Sequence, residues 1–150
     1  MTSPVRASLA VADVAVGAAL PELVVGLTRT LIVATAIASR DYQDVHHDPE
    51  LAQQRGSRDV FMNILSTNGF CGRFVTDWAG PDAILTDVRI RLGVPNYAGD
   101  TMTLTGAVTA VDAATGAVEV GLRGTNSLGD HVTGTVRLLL PLAPREVGRR

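Results

Sequence analysis

The chain has 150 residues, 46% of them hydrophobic and 19% charged. That length and balance describe one globular domain with a core, and they exclude a fibrous or disordered polymer. A net charge of −2 argues against nucleic acid as the main partner, because such a binder carries a basic face. All 13 basic residues are arginine, and Cys71 is the single cysteine. An intrachain disulfide is thereby excluded and a reducing cytoplasm expected. No uncharged apolar run approaches the roughly 18 residues of a membrane span. The stretch "RASLAVADVAVGAAL" follows a short basic start as a signal peptide would, but Asp13 interrupts it. Residues 1–20 are therefore expected as a flexible or variable extension, 21–142 as the domain and 143–150 as a tail.

In chain order, "LTRTLIVATAIAS" (27–39) is rich in β-branched residues and alanine and reads as a strand ending in a polar stretch. A short helix follows. Asp48 caps it, Pro49 occupies its first position and Gly56 closes it. From Val60 to Trp78, residues Phe61, Ile64, Leu65, Cys71, Phe74, Val75 and Trp78 recur at helical spacing, which predicts the longest helix. Gly69 and Gly72 inside it imply something packed against its backbone. "WAGP" stops it. Four strand-like runs then follow at 83–92, 101–112, 117–126 and 131–140, with "DAATGA" and "NSLGD" as turns. One long helix and strands without intervening helices predict an α+β domain. The arrangement expected is a hot-dog fold, a long central helix wrapped by a curved antiparallel sheet of about five strands.

The polar stretch "SRDYQDVHHD" (39–48) holds two of the three histidines. Asp41 and His46 are five positions apart, at most about 17 Å when extended, so a folded loop brings both to one point. Imidazole accepts or gives a proton near neutrality, and a carboxylate beside it orients the ring or shares the proton. The pair suits activation of water, or proton transfer next to a carbonyl. Asp48 is assigned to the helix cap and His47, beside His46 on a turn, is expected to point elsewhere; Asp44 competes for a role. Solvated surface is the bland alternative for the whole stretch. A metal site is not expected, since the spacing matches no ligand pattern. Cys71 falls on the apolar side of the long helix and reads as a core thiol. His131 reads as structural.

The run Ser39, Asp41, Val45, His46, Asp48 resembles the signature of the MaoC-like (R)-specific enoyl-CoA hydratases: small residue, glycine, Asp, any, Asn, Pro, aliphatic, His, any, Asp. Arg40 stands for the glycine, Gln43 for the asparagine and Asp44 for the proline. "RIRLGVPNYAGDTMTLTGAV" is similar to the family's strand, proline, loop and Gly-Asp turn, and the likeness covers residues 20–141. A closer resemblance, carried by "ASRDYQDVHHD", "FMNILSTNGF", "VTDWAGP", "RLGVPNYAGDT" and "NSLGDHVT", is to small hydratase subunits of actinobacterial sterol side-chain degradation. The resemblance implies hydration of a steroid enoyl-CoA by Asp41 and His46. It also implies a larger MaoC-like partner subunit in an α2β2 heterotetramer, and a retro-aldol enzyme acting next. No separate cofactor is implied, coenzyme A being part of the substrate.

The family begins its long helix with His-Gly where this chain has Phe61-Met62, and a backbone N–H there polarises the thioester carbonyl. The amides of Met62 and Asn63 are the candidates for that role, and Ser66 is the nearest counterpart of a family serine. Arg89, Arg91 and Arg123 are candidates for the phosphates of coenzyme A. Two enzymatic alternatives stay open, a homodimeric hydratase of linear enoyl-CoAs and a hot-dog thioesterase. A non-catalytic acyl-CoA-binding or scaffolding subunit is the third.

Overall fold

The computed structural model describes residues 7–143. Its elements are β1 (Leu23–Gly26), α1 (Arg29–Ala38), α2 (Pro49–Gln54), α3 (Ile64–Ala79), β2 (Ile84–Leu92), β3 (Thr101–Asp112), β4 (Ala117–Asn126) and β5 (Gly129–Leu139). The strands form one antiparallel sheet in the order β1-β3-β4-β5-β2. The long helix α3 lies on one face, the expected hot-dog layout. Phe74 and Val75 from α3 join Leu104, Val120, Val136 and Leu138 from the sheet in a single core. Alternation along β4 sends Val118, Val120 and Leu122 inward and the intervening side chains outward.

The expected strand at 27–39 is mostly helix. Gly26 ends the short β1, Thr28 caps α1 by accepting the Leu31 N–H at 3.0 Å, and Ile32 and Ala36, four apart, are fully buried on one side. Three alanines offset the β-branched residues, and the Thr35 hydroxyl settles onto the Leu31 carbonyl at 2.8 Å. Tertiary burial of one helical face overrides the strand preference.

The long helix starts four residues later than periodicity suggests, because residues 60–62 are extended. The Met62 N–H reaches the Asn96 carbonyl and the Ala98 N–H the Val60 carbonyl, tying this segment to the loop before β3. Asn63 then caps α3. At the far end Gly80, at φ 91°, stops the helix, and a Cβ there would meet Ser8 Cα at 2.6 Å. Gly72 behaves as expected, since a Cβ at that position would lie 3.3 Å from the Leu85 side chain, whereas Gly69 faces open space.

Residues 7–20 correct the expected boundary at residue 21. Ala10, Val11 and Leu20 are buried, the Leu9 N–H donates to the Ala79 carbonyl and the Val11 N–H to the Pro141 carbonyl. Apolar residues of this stretch cover the end of α3 and run beside β3, where Ala19 bridges Ala107. Residues 1–6 and 144–150 lie outside the described residues.

Candidate active site

The last turn of α1 delivers the acid. The Arg40 N–H bonds to the Ile37 carbonyl and the Asp41 N–H to the Ala36 carbonyl. This paired closure needs a left-handed residue between helix and loop, usually glycine. Arg40 occupies that position at φ 57°, which gives a physical reason for the glycine of the family signature. A 3-10 turn at Asp44–His46 then folds the chain back, and His46 meets Asp41 with Nε2 3.5 Å from Oδ2.

The ring is held from behind. His46 Nδ1 lies 2.7 Å from the Phe61 carbonyl, and the Phe61 ring stands edge-on to it at 4.9 Å. A carbonyl only accepts, so Nδ1 carries a proton and Nε2 is the ring nitrogen turned toward Asp41. With the ring in its neutral form, Nε2 and Oδ2 would be neighbouring acceptors. In that state the two could hold a water by one proton each and leave its oxygen lone pair facing outward as a nucleophile.

Asp41 is fixed by neutral donors. Asn63 Nδ2 donates to Oδ2 at 3.0 Å, and the Gln43 N–H reaches Oδ1 at 3.3 Å. These bonds, the Asn63 amide foremost, and to a lesser degree the nearby His46 hold the carboxyl below the usual carboxylate range. The other Asn63 amide hydrogen goes to Ser39 Oγ at 2.9 Å. Its carbonyl accepts the Ser66 N–H at 2.9 Å and the Ser66 hydroxyl.

The neighbours expected to be bystanders have other partners. Asp48 accepts the Glu50 and Leu51 amides as the α2 cap, Asp44 pairs with Arg55 at 2.7 Å, and His47 is exposed. His131 is buried between the Val94 carbonyl and the Thr67 hydroxyl. Cys71 is fully buried, and desolvation pushes its thiol up to about 12, so it is no nucleophile. Among the described residues no cluster of His, Cys, Asp or Glu is arranged to hold a metal ion.

Two expectations about binding groups change. The Met62 amide is spent on Asn96, which removes it as an oxyanion donor, while the Asn63 N–H meets no acceptor among the described residues. Arg91 and Arg123 flank Thr133, and Arg89 pairs with Thr135. Those threonines alternate with the buried Val132 and Val136, so all three arginines stand on the sheet face turned away from α3. The structure does not bring them to Asp41 and His46. Arg89 and Arg123 instead pair with Asp87 and Asp130. What sequence reasoning missed is the Asn63 side chain. Its signal was available, since an asparagine before "ILS" is a helix cap.

A cavity of about 350 Å³ runs between α1 and α3, lined by Ala38, Ser39, Leu65, Ser66, Gly69 and Arg73 among others. Ser39 and Ser66 also touch Asn63, so the cavity opens beside the reactive pair.

A curled sheet around a long helix, with an Asp–His pair beside that helix's first turn, defines a hot-dog domain with a candidate acid–base site. No family model matches the chain. It is 54% identical over 123 residues, 82% of this chain and 94% of the relative, to the 3-oxo-4,17-pregnadiene-20-carboxyl-CoA hydratase beta subunit of Mycobacterium tuberculosis. The chain belongs to the family of that hydratase subunit. A chain in the crystal structure of the ChsH1–ChsH2 complex from M. tuberculosis superposes with a TM-score of 0.81 at 53% identity, covering 84% of this chain and 98% of that one. An (R)-hydratase from A. caviae shares the fold at 23% identity, with a TM-score of 0.76 over 86% of this chain and 98% of its own.

Proposed function

We propose that this chain is the catalytic subunit of a heteromeric hydratase that adds water across the α,β double bond of a steroid side-chain enoyl-CoA. The observation that carries the reading is the Asp41–His46 pair, two acceptors 3.5 Å apart, in a chain 54% identical to the mycobacterial hydratase beta subunit. The thioester makes the β-carbon electrophilic. Water held between Asp41 Oδ2 and His46 Nε2 attacks that carbon and gives one of its protons to the pair. The electron pair of the double bond moves toward the thioester oxygen, where the Asn63 N–H and the positive end of α3 meet the developing charge. The α-carbon then takes a proton from the pair on the same face, and the enzyme returns to its starting state. No step requires a cofactor, because activation resides in the thioester.

A larger MaoC-like partner in an α2β2 assembly fits the apolar side chains left uncovered around the pair: Tyr42, Ile64 and Leu65 are 65%, 52% and 52% exposed. The cavity beside Ser39 and Ser66 suits a bulky apolar acyl group, and the hydrated product is a β-hydroxy thioester, the substrate class of a retro-aldol enzyme. A cytoplasmic site accords with the free Cys71 and the coenzyme A thioester; no helix among the described residues is long and apolar enough to cross a membrane.

The test is a mass-spectrometric hydration assay of the chain, alone and with its large subunit, on a steroidal and a short linear enoyl-CoA. Gain of one water on the steroid only in the complex, lost in Asp41→Asn and His46→Ala, is expected. Gain on the linear substrate by the chain alone establishes a homodimeric hydratase instead. Release of free coenzyme A marks a thioesterase, and no change in any pairing leaves a silent subunit.

A further inference from the structure

The amide of Asn63 joins the cap of α3 to the acid of the reactive pair. Its orientation is fixed by chemistry. The Ser66 N–H can only donate, so the carbonyl end of Asn63 faces it, and the NH2 end must face Ser39 Oγ and Asp41 Oδ2. The side chain is 2% exposed, and each of its polar atoms has two partners. Gln43, which takes the place of the signature asparagine, is exposed and touches Asp41 only through its backbone.

We propose that Asn63 is the positioning residue of the reaction: it fixes Asp41 Oδ2 beside His46 Nε2, supplying from the helix cap a side-chain amide contact to Oδ2, where the loop supplies only the Gln43 backbone N–H to Oδ1. The two roles are mechanically linked. The first turn of α3 grips the carbonyl of Asn63, and its amide grips the carboxylate, so Asp41 is registered to the same helix end that presents the Asn63 N–H to the substrate. Without that grip the carboxylate rotates about its own side-chain bonds and the water loses one of its two acceptors. The group facing Asp41 that titrates is His46; Ser39 on α1 and Asn63 and Ser66 on α3 are neutral.

This inference rests on the hydratase reading, and its test separates the two. Asn63→Asp keeps a cap of equal quality but offers Asp41 no donor and, when ionised, a like charge. Asn63→Ser keeps the cap and removes the Nδ2 donor without adding a charge. In the assembled complex, kcat at pH 7 is expected to fall about 10- to 100-fold in both variants, with KM for the enoyl-CoA changed less than about threefold because both substitutions leave the backbone N–H at position 63 in place. The acid limb of kcat/KM is expected to move to higher pH by at least about one unit in Asn63→Asp and by less in Asn63→Ser. Titration of the Asp41 carboxyl by 13C NMR reads the same shift without turnover, so a wild type that hydrates nothing removes the hydratase reading while the contact is still measured. An unchanged Asp41 titration overturns the proposal. So does an unchanged acid limb, or a fall in kcat that merely follows loss of folded protein in thermal melts of both variants.

Discussion

Replacing Arg40 with glycine tests how the catalytic loop is launched from α1. Arg40 is the residue other than glycine that holds a positive φ among the described residues, at 57°, because the closing bonds from Arg40 to Ile37 and from Asp41 to Ala36 require that conformation. For an L-residue it costs about 1–2 kcal/mol, from Cβ against the backbone. Glycine escapes that cost but gives up about 0.5–1 kcal/mol through its freer unfolded chain. The Arg40 side chain is exposed and makes no ion pair among the described residues, so little else is lost. Arg40→Gly is therefore expected to stabilise the chain by about 0.5–1 kcal/mol, equivalent to a rise in Tm of about 1–4 °C for a domain of this size. Arg40→Ala keeps the strained conformation without the guanidinium and is expected to stay within about 0.5 kcal/mol of wild type. Urea unfolding at one protein concentration reads both, with an unchanged m-value showing that the unfolded ensemble is comparable. If Arg40→Gly proves no more stable than Arg40→Ala, backbone strain at this position is not what the structure implies.

Asp41→Asn and His46→Ala should each lower hydration per folded molecule about 10²- to 10⁴-fold, since one removes the carboxylate base and the other the imidazole; separate retention of full activity in either variant ends its catalytic assignment. Gly69→Leu adds a side chain to the wall of the cavity between α1 and α3, at a position where no atom lies within 4 Å of the added Cβ. It should depress turnover of the steroidal enoyl-CoA at least about tenfold, within the range that packing in an apolar pocket discriminates, and spare a four-carbon substrate; equal loss on both places the acyl group elsewhere. His131 is buried as the neutral form, which lowers its pKa. The unfolded chain therefore takes a proton more readily, and stability should fall as pH drops through the ordinary value near 6.5, being fully present above it. His131→Gln should flatten the decline in Tm between pH 7 and pH 5, and an equally steep decline assigns it to another group.

The legible parts of this chain are those where the local code and the tertiary demand agree. Asp48-Pro49 announces α2, and the alternating runs with their turns mark β2 to β5 within two residues, because one face of each strand is buried and the other exposed. Asp41 and His46 were legible as a pair since both reach one point from a short loop. The segment 27–39 was misread because β-branched residues and alanines balance, and only the burial of Ile32 and Ala36 decides for the helix. Val60 to Met62 follow helical spacing yet are extended, because their backbone is claimed by residues 96–98, a pairing no local pattern announces. The arginines suggested phosphate contacts by type, but type does not say which sheet face a side chain occupies. Register says that, and Thr133 and Thr135 put them outside.

The correction at α1 bears directly on function. Had 27–39 been a strand, its end would have projected from the sheet, and nothing would have walled the space beside α3. As a helix it does two things with one set of residues. Its left-handed closure at Arg40 aims Asp41 back toward the cap of α3, where Asn63 takes hold of it. Its last turn, through Ala38 and Ser39, forms one wall of the cavity that begins at Ser66. The acid and the proposed acyl site are therefore displaced together by any shift of α1 against α3. The contact that resists such a shift nearest the chemistry is polar, the bond from Asn63 to Ser39, with Ser39 itself donating to the Thr35 carbonyl at 2.8 Å. Ser39→Ala would leave an amide hydrogen of the buried Asn63 unpaired, at a cost of about 1–3 kcal/mol, while Asp41 keeps its own bond to Asn63. Its effect should thus appear in stability and in the balance between bulky and short substrates more than in the acid limb of the rate profile, the reverse of what Asn63→Asp should do.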